Sequence, residues 1–209
     1  MSTELLDDVR DVTSLTLAPF DVDQYHRLIE AGILRDGEPI ELIEGVLVYK
    51  DRRDEVGGIK THGGRHLKAL NKLTALLSEW VRGRNAFLQV QGPITLNERN
   101  EPEPDCSLIA GDPDSFGNGV PDASAVHAVF EVADSSLSTD RTRKWQIYAA
   151  AAIPVYVIVN LKDQQIEVHS LPSPNESKYH SRQEYGRGES FQVDVGNLGP
   201  LSIPVDDLF

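Results

Sequence analysis

Asp105, in Glu-Pro-Glu-Pro-Asp-Cys-Ser-Leu-Ile, and Glu131, in Ala-Val-Phe-Glu-Val-Ala, each stand beside an apolar, β-favouring run. A carboxylate built into a hydrophobic strand is costly unless something pairs with it. Two such charges near each other repel, and the commonest remedy is a hard divalent cation with oxygen ligands. The pattern points to a metal-dependent site that hydrolyses a phosphodiester or a related bond. The chain between the two acids has room for a strand, a loop and a neighbouring strand, which would bring both to one sheet edge.

A cationic group is needed beside them. Two residues after Glu131, on the same face of the strand, stands Ala133 rather than a lysine. On the following helix, Asp140, Lys144 and Tyr148 recur at four-residue steps and share a face with Ile147 and Ala151, which would press it onto the sheet. Lys144 can then reach the carboxylates from the helix. Each residue also has a bland reading. Glu131 could pair with Arg143, Lys144 could belong to a solvated face, Asp140 could cap its helix, and Tyr148 could be core. Glu41 and Glu44 are out of phase, so at most one faces a site, and phase alone does not choose. His66 opens an apolar stripe as a core histidine would, and His26 and His62 read as surface.

The elements that must position these groups follow from periodicity. Residues 20–29 predict a short helix closed by Gly32, and Pro39 to Tyr49 a strand pair broken at Gly45. Leu70, Leu73, Leu77 and Trp80 mark a helix over 66–81. Strands are predicted over 86–96, with a Gly-Pro interruption, around Asp105–Ile109 and over 125–132. Ser138-Thr139-Asp140 offers caps for a helix running to about Ala152, and Val155–Val159 reads as a sheet-centre strand. A hairpin follows through Ile166–His169, and residues 178–209 read as edge strands. The expectation is one α/β domain over 19–209 behind a loose arm, residues 1–18.

Composition bounds the partners. A net charge of −13 argues against tight nonspecific DNA binding by a monomer, although a metal would add positive charge where phosphate sits. Cys106 is the only cysteine, which excludes an intramolecular disulfide and a cysteine-based zinc site. No apolar stretch has the length of a membrane span, and the first residues lack a signal peptide's basic and apolar regions, so a cytoplasmic protein without membrane contact is expected.

Five pieces in order resemble the Uma-type family described as "putative restriction endonucleases", within the PD-(D/E)XK nuclease superfamily. They are Glu41-Leu42-Ile43-Glu44-Gly45, His66 with its leucine stripe, Pro104-Asp105, Glu131-Val132, and Asp140, Lys144 and Tyr148 followed by Pro154-Val155-Tyr156-Val157. The likeness runs from about Phe20 to Phe209. It implies an α/β fold with a restriction-endonuclease-like core: a central mixed sheet flanked by helices, with extra antiparallel strands. It also implies that Asp105 and Glu131 ligate Mg²⁺ or Mn²⁺, helped by the Val132 carbonyl, with Glu41 as a third carboxylate. Lys144 would orient or deprotonate the attacking water, and His66 would contact phosphate or hold a carboxylate. Asp134 and the alanines at 149–152 depart from the family pattern without touching a ligand.

The first expectation is a Mg²⁺-dependent endonuclease acting on DNA. Cutting both strands suggests a homodimer, for which the apolar pieces over 198–209 are a candidate interface. The alternative is a non-catalytic binding or scaffolding module that keeps the nuclease fold, and a third reading is a hydrolase of another phosphoester.

Overall fold

The most apolar runs of the sequence occupy the middle of a sheet. The computed structural model describes residues 18–35, 37–50, 63–117 and 119–209. The arm expected over 1–18, save Ala18, and His62 lie outside the described residues. Helix α1 (Val22–Glu30) starts in a capping box between Asp21 and Gln24. A hairpin of β1 (Ile40–Ile43) and β2 (Val46–Tyr49) follows, then helix α2 (Gly64–Val81). Six strands form the main sheet: β3 (Ala86–Val90), β4 (Cys106–Ala110), β5 (Val126–Ala133), β6 (Val155–Asn160), β7 (Gln165–Ser173) and β8 (Lys178–Tyr185), in that order. β5 and β6 are parallel and all other neighbours antiparallel, the mixed sheet expected from the sequence. The parallel pair requires a crossover, supplied by helix α3 over 137–150. β9 (Ser190–Asp194) and β10 (Pro200–Pro204) close the chain as a separate hairpin.

Alternation on β5 divides the core. Ala128, Phe130 and Val132 join Leu70, Leu73 and Leu77 of α2 and the β9–β10 hairpin. Val129 and Ala133 join Ile147 and Tyr148 of α3. Glu131 shares the phase of Val129 and Ala133, so it belongs under α3. Leu73 and Leu77 are fully buried, each worth about 1.5–3 kcal/mol over an exposed leucine.

Three expectations change. The strand predicted over 86–96 ends at Val90, because Gln91 takes a φ of 49° and Pro93 has no N–H for a ladder. Ser138, Thr139 and Asp140 cap nothing: α3 already starts at Leu137, and Asp140 is buried within it. The apolar pieces over 198–209 do not form an exposed interface, since Leu198, Leu201, Ile203, Val205 and Leu208 are buried in the chain's own core. No described helix is long and apolar enough to cross a membrane.

Candidate active site

The β1–β2 hairpin decides which glutamate turns inward. Its two turn residues, Glu44 and Gly45, have φ of 53° and 77°, as a two-residue type I′ turn demands. A Cβ on Gly45 would lie 2.4 Å from Pro19 Cβ, so glycine is required for this approach as well. Glu44 is thereby exposed and faces Arg143 at 3.5 Å, while Glu41 is buried. Glu41 Oε2 accepts the Glu103 N–H at 2.9 Å. Arg143 is thus engaged by Glu44 and is not the partner of Glu131.

That partner is Lys144. Its Nζ donates to Glu131 Oε1 at 2.9 Å and lies 3.2 Å from Glu41 Oε1, and the lysine is only 8% exposed. Tyr148 Oη donates to the same Glu131 oxygen at 2.9 Å. Asp105 stands just before β4, one sheet position from β5, where its Oδ2 accepts the Val132 N–H at 2.9 Å. His66 Nε2, on the first turn of α2, lies 3.1 Å from that oxygen. Asp140 accepts from Ser136 Oγ at 2.6 Å, and its carbonyl accepts from Tyr156 Oη at 3.0 Å. All seven residues singled out in the sequence therefore meet around one place.

Burial and charge set their protonation. Burial, with Asp140, Asp105 and Glu41 adding repulsion against the pull of Lys144, pushes Glu131 up to about 8. Burial likewise raises Asp140 to about 6, with Lys144 and Ser136 opposing. Asp105 goes the other way: burial opposes ionisation, but His66 and the Val132 N–H hold it below its ordinary value. Burial also disfavours the charged Lys144, yet Glu131, Glu41 and Asp140 outweigh it and keep the ammonium protonated. Asp105 in turn raises His66 against its desolvation.

A cavity of about 320 Å³ opens on Glu41, Asp105, Glu131, Asp140, Lys144 and His66. Lys50 and Glu103, paired at 2.8 Å, also line it; both escaped the sequence reading because only the fold brings them here. Among the described residues, no three His, Cys, Asp or Glu side chains are already gathered as a metal cluster. Lys144 stands between two of the carboxylates instead. The donor chemistry nevertheless suits a hard cation. Each hydrogen bond to Asp105 falls on Oδ2 and each to Glu131 on Oε1. Asp105 Oδ1 and Glu131 Oε2 accept none among the described residues, which leaves one carboxyl oxygen of each for a ligand once Glu131 has lost its proton.

The fold is similar to a solved structure from Anabaena variabilis ATCC 29413, titled as a putative nuclease belonging to DUF820. The TM-score is 0.65 at 18% identity, covering 91% of this chain and 98% of that one. Among curated proteins nothing matches. Residues 22–199 match the profile of Uma2, whose description reads "Putative restriction endonuclease". With most of its length inside that match, the chain belongs to the Uma2 family.

Proposed function

We propose that this protein is a Mg²⁺- or Mn²⁺-dependent endonuclease that hydrolyses DNA phosphodiester bonds. The observation that carries the reading is the arrival of Glu41, Asp105 and Glu131, from three separate elements, around the Lys144 ammonium at one cavity. Asp105 and Glu131 would hold the ion through Oδ1 and Oε2, and Glu41 would bind it directly or through water. A bound ion would polarise the scissile phosphate and lower the pKa of a water. Lys144, held protonated, cannot take a proton from that water; it would orient it and stabilise charge developing on the phosphate. The N-terminus of α2 carries no side-chain cap, and Gly63 lines the cavity, which favours an anionic substrate. Glu131→Ala should abolish metal-dependent DNA cleavage; unaltered cleavage would refute the assignment. Turnover on duplex, single-stranded and small phosphodiester substrates tests DNA against another phosphoester.

A second reading, a binding or scaffolding module without catalysis, is favoured by Lys144 bridging Glu131 and Glu41 where an ion would otherwise balance them. Calorimetry with Mn²⁺ separates the two. A scaffold binds none, whereas the nuclease binds an ion and loses it in Asp105→Ala.

A further inference from the structure

Lys144 is aimed by an irregular piece of helix. Within α3, residues Asp140–Lys144 form a π-helical turn between the α-helical segments Leu137–Thr139 and Trp145–Ala150. Such turns are rare inside helices and concentrate at functional sites. Two contacts from the sheet grip this one. Tyr156 on β6 donates to the Asp140 carbonyl, and Arg141 reaches across to Glu167 on β7. The Arg141 Nη2 donates to Glu167 Oε1 at 2.6 Å, and its Nε lies 3.1 Å from both oxygens, a charge-assisted fork.

Glu167 is a fully buried charge that the proposed chemistry does not use, and it does not line the cavity. Asn160 Nδ2 and Arg182 Nη2 also donate to it, each at 3.1 Å. The carboxylate thus ties three strands to one residue of the π-helical turn. With 3.6 residues per turn, a slip of one residue rotates a helix by roughly 100°, enough to carry Lys144 off its carboxylates.

We propose that Glu167 is a positioning residue for Lys144: acting through Arg141, it locks the π-helical turn that keeps the ammonium between Glu131 and Glu41. The kinetic consequence rests on the nuclease reading; the structural one does not. Amide hydrogen exchange over 137–150 and the kinetics of Mg²⁺-dependent DNA cleavage test it in Glu167→Gln, Arg141→Met, their double variant and Arg141→Lys. Exchange at 140–145 should quicken about tenfold or more in the first two, by local opening, while α2 keeps its protection. For misplaced catalytic groups kcat should fall on the order of 100-fold with KM unchanged. The double variant should be no worse than either single one, and Arg141→Lys should recover part of the loss. Additive effects, or exchange that quickens equally throughout the chain, would overturn the proposal. Should Glu167→Gln fail to fold, Arg141→Met decides by the same exchange pattern, with Arg141→Lys as the partial recovery. Should the wild type cut no DNA, the nuclease reading fails, and hydrogen exchange still tests the clamp.

Discussion

Replacing Lys144 with methionine would delete the ammonium that lies 2.9 Å from Glu131 and 3.2 Å from Glu41 while keeping most of the side chain's bulk. Both carboxylates are almost wholly buried, so they would be left without their cation in a site of low polarity. Breaking a buried pair in this way costs about 3–5 kcal/mol. At about 2–4 °C per kcal/mol for a chain of this size, Tm should drop by roughly 6–20 °C well above pH 8, where Glu131 is ionised. The loss must depend on pH. Folded Glu131 titrates at about 8 against an ordinary 4.5, so between those values the folded state holds a proton that the unfolded chain has lost. Stability from this group therefore falls as pH rises through that window. Lys144 holds the value down, and its removal extends the window upward. The deficit should be small near pH 5, where folded Glu131 is already neutral, and should grow as pH rises above about 8, where the wild-type carboxyl has ionised but the variant's has not. A divalent cation would take the place of the missing charge: at a hundredfold excess over Kd it returns about 2.7 kcal/mol. Thermal unfolding followed by circular dichroism, with and without MgCl₂ at both pH values, measures all three effects. Melts that coincide with the wild type at both pH values and ignore Mg²⁺ would refute the idea that Lys144 balances these acids.

Protons and Mg²⁺ should compete for Glu131, so calorimetric affinity should climb with pH by up to about tenfold per unit and level off above about 8; a flat profile would count against Glu131 as a ligand. Gly45→Ala forces a Cβ to within 2.4 Å of Pro19 at a φ of 77°, so stability should fall by about 1–3 kcal/mol and metal binding through Glu41 should weaken. A Tm equal to that of the wild type would show that the hairpin is not held as described. Leu201→Ala opens a fully buried site in the chain's own core and should cost about 2–5 kcal/mol without changing the sedimentation coefficient. A stable variant with an altered oligomeric state would return this segment to an interface.

The positions of the main elements were legible because they follow local rules. The spacing of Leu70, Leu73 and Leu77 fixes one face of α2, the unbroken apolar run Val155–Val159 fixes a buried strand, and an acid inside the apolar β5 marks Glu131 as needing a partner. The choice between Glu41 and Glu44 was not legible. It depends on the conformation of one tight turn and on Pro19 closing over Gly45. Four-residue spacing put Asp140, Lys144 and Tyr148 on one face, but it hid the π-helical turn, because helical periodicity says nothing about which carbonyl each N–H will choose. The tail over 198–209 read as an edge or an interface, since apolar alternation does not say whether its cover comes from the same chain. Short-range pattern therefore determined which residues are helical, extended or apolar. The pairing of Lys144 with Glu131 and Glu41, and of Arg141 with Glu167, was decided only in three dimensions, because those contacts join residues distant along the chain and draw their strength from burial that no local segment possesses alone.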